Sequence, residues 1–274
     1  MTLAEYIEKN ITDAYSALPL SSCRIIKERL IADAPSLTHA VMLAVPFPHG
    51  PGKIASFARI RDYHAFFAPF AGGIKELLSS RYPSAEVRVF SDHSPIDERD
   101  AACRAGLGVL GDNCLFISNK YGSFVFIGEI LLSLGKEELE AEGIAVCDGE
   151  VGGCLHCGAC AAACPSGSIG SDRSFCVSAL TQKKGDLSDT ERAMIKRGRS
   201  AWGCDVCAEV CPMNCVETPE YNKYFTENSI SPESAEEIEK MPDEEYSAYP
   251  FSWRKKEVIE RNFRIISEGG PSDD

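Results

Sequence analysis

The chain has 274 residues, 44% of them hydrophobic and 25% charged, which is room for one large or two modest globular domains. A net charge of −13 gives no general electrostatic pull on phosphates, although "KRGRS" (Lys196 to Ser200) offers a local basic patch. No apolar run reaches the roughly 18 residues of a membrane span. The N-terminus lacks a signal pattern, and thirteen cysteines in a cytoplasmic, reducing setting argue for metal ligation over disulfides.

In chain order, "MTLAEYIEKNITDAYSALPL" reads as an opening helix. "THAVMLAVPFP" (Thr38 to Pro48) is an apolar run ended by prolines, the pattern of a buried strand. "DYHAFFAPFAGGIKELLSSRYP" has helical spacing in its second half, and "AEVRVFSD" (Ala85 to Asp92) alternates as a strand. "ERDAACRAGLGVLG" is a short helix running into glycine turns. "NCLFIS" and "GSFVFIGEILLSL" read as two strands joined in a hairpin through "NKYG". Two cysteine runs with a helical insert follow. From Glu227 to Glu245 eight acids accompany one lysine, a solvated segment, before "YPFSWRKKEVIERNFRII" recovers helical spacing.

These elements give an α+β class in three parts. Residues 1–147 form a mixed-sheet α/β domain. Residues 148–220 form a bacterial-ferredoxin-like two-cluster domain. Residues 221–274 are an acidic linker and a last helix that packs back on the first domain.

The first cysteine run, "CLHCGACAAACP", places Cys154, Cys157, Cys160 and Cys164 before Pro165. This is the two-cluster ferredoxin pattern, in which the fourth cysteine serves the other cluster. The second run, "CDVCAEVCP", holds Cys204, Cys207 and Cys211, with Ala201 where a first cysteine belongs. A cubane takes four thiolates, so one more ligand is needed, and Cys176 in "FCVSALT" is the candidate. The crossover then gives one cluster Cys154, Cys157, Cys160 and Cys211, and the other Cys164, Cys176, Cys204 and Cys207. Thiolate fours also suit zinc, but zinc seldom uses a proline-terminated triple run.

A cluster stores electrons and breaks no bond of a substrate, so the chain ahead of the clusters should hold their acceptor. The candidate region is "SDHSPIDERDAACRAGLGVLGDN" (Ser91 to Asn113), which starts at a strand end. Asp92, Asp97 and Glu98 crowd acids there. Crowding and burial raise a carboxyl pKa and let it hold a proton for delivery. The glycines 106, 108 and 111 would admit a large flat ligand. The plainer reading is a capped helix start, with Asp97 and Glu98 near the positive end of the dipole.

Asp92, Pro95, Glu98 and Arg99, running into Ala105 to Gly108, resemble the Asp-x-x-Pro-x-x-Glu-Arg…Ala-Gly-Leu-Gly segment of the epoxyqueuosine reductase family. Arg61 to His64 match its Arg-Asp-Tyr-His, and Gly122, Ser123 and Gly128 to Ile130 its Gly-Ser…Gly-Glu-Ile. "FCVSALT" and "GCDVCAEVCPMN" resemble its cysteine segments, and the matches keep their order from about residue 38 to 220. The resemblance is to a short form without the C-terminal helical repeat. It implies a cobalamin-dependent reductase with two 4Fe-4S clusters that acts on epoxyqueuosine in tRNA or on a related substrate. An external low-potential donor of flavodoxin or ferredoxin type would supply the electrons. It further implies that Asp92 is the proton donor and that Ser56, Arg61, Tyr63, His64, Asn113, Gly122 and Ser123 line the corrin. The family commonly has arginine near Ser56 and lysine near Asp112, so both positions here have lost positive charge. Two other readings share part of this layout: a reductive dehalogenase-like corrinoid enzyme, and a non-catalytic electron carrier or corrinoid redox partner.

Overall fold

The structure is a computed structural model that describes residues 1–216 and 218–268. It divides into two compact units, neither continuous in sequence. The first holds Met1–Pro46, Tyr63–His156 and Met213–Asn222, and the second holds Phe47–Asp62, Cys157–Pro212 and Lys223–Asp274. The expected boundaries at 147 and 220 are therefore not those of the fold. Residues 47–62 leave the first part for the second unit, and 213–222 return to the first.

The first unit runs α1 (Leu3–Asn10), β1 (Tyr15–Pro19), β2 (His39–Pro46), α2 (Tyr63–Phe67), α3 (Phe70–Leu78), β3 (Val87–Phe90), α4 (Glu98–Arg104), β4 (Gly108–Leu110), β5 (Phe116–Ser118), β6 (Val125–Leu132) and α5 (Lys136–Ala141). The main sheet has the order β1-β2-β6-β3 and pairs antiparallel throughout. The mixed sheet expected from sequence is reduced to one parallel bridge, Ala17 with Val146, beside β1. β2 and β6 are central and apolar on both faces, which is why their sequences run hydrophobic instead of alternating. Packed against α4, one face gathers Met42, Ala44 and Leu131 with Ala101, Ala102 and Cys103 of the helix. On the other face Gly128 lets the Phe67 ring lie against the backbone, where a Cβ would collide with it.

The opening segment is shorter as a helix than expected. A capping box of Thr2 and Glu5 starts α1, and the chain then turns to put "YSALP" into an edge strand. The hairpin through "NKYG" is also corrected. Ser118 and Gly122 do close a tight turn, with Gly122 at φ 69°, but β5 pairs with β4 and β6 enters the main sheet. Gly108 serves that small β4–β5 sheet, because a Cβ there would strike the Ile117 carbonyl and the Phe116 ring.

The second unit contains α6 (Ala159–Ala163), α7 (Val177–Thr181), α8 (Asp189–Gly198), α9 (Val206–Glu209), α10 (Lys223–Thr226), α11 (Ala235–Lys240), α12 (Asp243–Tyr246) and α13 (Lys256–Ser267). Its core joins Ile54 and Ala58 to Trp202, Ile238, Tyr246, Phe251, Ile259 and Phe263. The acidic segment is thus only half solvated: Ile238 and Tyr246 point inward while the acids around them stay outside. The core that the last helix joins does include residues of the chain's first part, Ile54 and Ala58 with Phe57 packed against them, and these belong to this unit.

Asn262 on α13 is fully buried and donates through Nδ2 to Thr181 O at 2.7 Å and Ala201 O at 2.8 Å. Asn262→Ala leaves two buried carbonyls without that donor and should cost about 2–4 kcal/mol. Both tryptophans, Trp202 and Trp253, lie in this unit, so thermal unfolding followed by their fluorescence reads the loss as a lowered Tm.

Candidate active site

Asp92 is the first residue past the β3 edge with a left-handed backbone, at φ 62°, a conformation that marks a non-glycine residue for attention. Its side chain is 68% exposed. Two groups of α2 address the same oxygen: Tyr63 Oη donates to Asp92 Oδ2 at 3.3 Å, and His64 Nε2 stands 3.9 Å from it. Tyr63 is held between rings, stacked on His64 at 4.2 Å and on Phe126 of β6 at 4.3 Å. An exposed carboxyl, a phenol and an imidazole therefore share one rim of the first unit, a set that can hold and pass a proton.

Gly122 and Ser123 belong to the same unit. Asn214 lies so close to Gly122 that any side chain there would displace it, and Asn214 Oδ1 accepts the Ser123 amide at 2.6 Å. Ser123 Oγ is buried and has no hydrogen-bond partner among the described residues. An orphaned buried hydroxyl fits a ligand with polar edges, such as the amide arms of a corrin, while Gly122 makes room for Asn214. Asn214 was not among the expected residues; the "CPMN" that follows the last cysteine was its only signal. Asn113 is buried and takes up the Leu115 amide with Oδ1 at 3.1 Å, a turn-forming role. Asp112 faces His156 Nδ1 at 2.9 Å.

Ser56 and Arg61 fall in the second unit. Ser56 is 1% exposed, and its polar atoms are occupied: the amide donates to Asp205 Oδ2 at 2.6 Å, and Oγ accepts from Arg59 Nη2 at 2.8 Å. Arg61 lies over the Tyr249 ring at 5.9 Å. Sequence reasoning also missed Asp205, which sits inside the second cysteine run.

Of the eight expected cluster cysteines, Cys154 falls in the first unit and the other seven in the second. None of the thirteen cysteines is in a disulfide. α6, which carries Cys160, contacts α9, which carries Cys207. Burial pushes the Cys204 thiol up to about 11 and the Cys207 thiol up to about 12, and the nearby Cys164 and Cys176 push both further. The structure therefore brings Cys164, Cys176, Cys204 and Cys207 into one neighbourhood. Thiols so raised are neutral when bare and release protons on ligation. One zinc ion would hold its thiolates at about 2.3 Å and so within about 4 Å of one another. Among the described residues no three thiols come within 4.8 Å of one another.

Residues 153–214 match the family described as "4Fe-4S double cluster binding domain". Epoxyqueuosine reductase of Staphylococcus aureus is 28% identical over 250 residues, covering 83% of this chain and 63% of the relative. That of Leadbetterella byssophila is 34% identical over 188 residues, 67% of this chain and 59% of the relative. The Escherichia coli enzyme is 32% identical over 186 residues, 66% of this chain and 45% of the relative. The chain belongs to the epoxyqueuosine reductase family. It spans about half to two thirds of the length of these relatives. The fold agrees. A solved epoxyqueuosine reductase with a tRNA-Tyr epoxyqueuosine-modified stem loop superposes with TM-score 0.72 at 22% identity, over 96% of this chain and 79% of that one. The Streptococcus thermophilus structure gives 0.68 at 24% identity, over 86% and 66%. No helix among the described residues is long and apolar enough to cross a membrane.

Proposed function

We propose that this protein is an iron–sulfur, cobalamin-dependent reductase that removes the epoxide oxygen of epoxyqueuosine in tRNA. Family membership and the double-cluster domain support the redox class. The observation that carries the chemistry is the exposed, left-handed Asp92 with Tyr63 and His64 on one of its oxygens. The tRNA substrate is supported by the relatives' names and by the neighbour solved with a tRNA stem loop.

Two clusters would be held by Cys154, Cys157, Cys160 and Cys211, and by Cys164, Cys176, Cys204 and Cys207. Gly122, Ser123, Tyr63 and His64 would hold the corrin, with Ser123 Oγ free to meet an amide at its edge. When bound, the clusters would supply electrons one at a time, and the corrinoid would supply the reducing power needed at the substrate carbon. Loss of an epoxide oxygen as water consumes two electrons and two protons. Asp92 gives a proton to the departing oxygen, and Tyr63 and His64 orient its carboxyl and lie next in line to reprotonate it. A flavodoxin- or ferredoxin-type donor in the cytoplasm would refill the clusters.

The test is anaerobic protein reconstituted with iron, sulfide and cobalamin, given a chemical reductant and a tRNA stem loop bearing epoxyqueuosine. Nucleoside mass spectrometry should show queuosine formed in multiple turnovers. Absence of product with both clusters and corrinoid demonstrably bound would refute the assignment.

A further inference from the structure

Behind Asp92 lie two carboxyls that the proposed reaction leaves without a role. Glu129 sits in the middle of β6, opposite Met42 of β2 and Phe90 of β3. It is 1% exposed, and among the described residues neither carboxyl oxygen has a well-aligned hydrogen bond. Ser94 lies near enough to act on it as a hydrogen-bonding hydroxyl, although its proton goes to Ile96 O at 2.9 Å. Glu98, the first residue of α4, is close enough for the two charges to feel each other. Glu98 Oε2 accepts the backbone amide of Asp92 at 2.9 Å. That amide belongs to the residue whose left-handed backbone needs holding.

We propose that Glu98 is the positioning residue for Asp92, holding the acid in its left-handed conformation through the backbone amide, with Glu129 behind it as a neutral, proton-bearing partner. The proposal rests on the reading of Asp92 as the reductase's acid. The charged and titratable groups facing Glu98 are Asp92, Arg99, Lys27 and Glu129. Those facing Glu129 are Glu98, Lys27 and the buried Cys23 thiol. The cations are engaged elsewhere: Arg99 donates to Cys114 O at 2.8 Å, and Lys27 Nζ lies 3.4 Å from His93 Nδ1. Glu129 is buried and Glu98 half-buried, and Lys27 and Arg99 only partly offset their mutual repulsion, so the pair favours a single negative charge. The single negative charge falls on Glu98, where the Asp92 amide stabilises it, while burial holds Glu129 neutral up to about 8. Burial also raises Glu98 to about 7. Below that pH the carboxylate gains a proton, becomes a weaker acceptor and loosens its hold on Asp92.

The experiment compares the reconstituted wild type with Glu98→Gln, Glu98→Ala and Glu129→Gln by amide hydrogen exchange and by the pH profile of kcat. Exchange needs no substrate, so it decides the positioning role even if the protein reduces no epoxyqueuosine. Glu98→Ala should speed exchange at the Asp92 amide at least about tenfold while the main sheet stays protected. Glu98→Gln, which keeps an oxygen acceptor, should largely restore protection. In turnover the wild type should lose rate below pH about 7, and Glu98→Gln should be flat there. Glu129→Gln, which mimics the neutral acid, should keep the acidic limb. Unchanged Asp92 exchange in Glu98→Ala would overturn the proposal. So would an acidic limb that survives in Glu98→Gln, or one that disappears in Glu129→Gln and so moves the titration to that residue.

Discussion

Asp92→Asn should reduce kcat by about 10²-fold or more while cluster content and corrinoid affinity stay at wild-type values. The substitution is close to a pure chemical change. Asparagine tolerates the left-handed region that Asp92 occupies at φ 62°, so the backbone is not forced to move. The amide oxygen can still accept from Tyr63 Oη, and the side chain is exposed, so no buried charge is created or lost. What disappears is the proton. A loss of this size with both cofactors retained assigns Asp92 to the chemical step, whereas wild-type turnover would remove it from the role of acid. The measurement is steady-state turnover alongside iron, sulfide and corrinoid stoichiometry on the same preparation.

The second large effect is expected at Cys176. It caps α7, outside both cysteine runs, yet its charge is felt by Cys204 and Cys207. Cys176→Ala should remove or convert one cluster and leave the other intact, halving iron to about four per chain. Turnover should fall to near background, because the path for electrons is broken at one of its two stations. Low-temperature electron paramagnetic resonance of the reduced protein separates the outcomes. One cubane signal, or one cubane with a three-iron species, fits the assignment. Two intact cubanes would pass the fourth ligand to another cysteine, with Cys215, four residues past Cys211, the first to examine.

Much of the first unit was legible in the sequence because its central strands are long apolar runs and α4 carries an alanine-rich face. What stayed hidden depended on partners far along the chain. "YSALP" is five residues with a proline, too short to stand out as a strand until β2 pairs with it. The "NKYG" turn exists, yet the choice between a hairpin and two separate sheets is made by β2 and β4. In the acidic tail, Ile238 and Tyr246 were outvoted by the charges around them, although one apolar residue per turn is enough to anchor a short helix. At the site, the cysteines announced themselves by spacing. Glu98 read as an ordinary acid at a helix start, and its bond to the Asp92 amide depends on a turn that composition does not reveal. Glu129 did leave a mark: a single acid inside the eight-residue apolar strand "VFIGEILL", where a carboxyl costs free energy unless it is used or kept neutral.

The central claim is that electrons stored on the two clusters reach the epoxide by way of a corrinoid bound in this chain. A single-turnover experiment tests it. Protein with both clusters reduced, freed of excess reductant and loaded with cobalamin, is mixed with the epoxyqueuosine stem loop and quenched at intervals. Two one-electron clusters hold the two electrons that the reaction consumes, so the account predicts about one queuosine per chain. The reduced-cluster signal should disappear in step with product, and no product should form without cobalamin. Equal product without cobalamin, or product formed while both clusters keep their electrons, would contradict it.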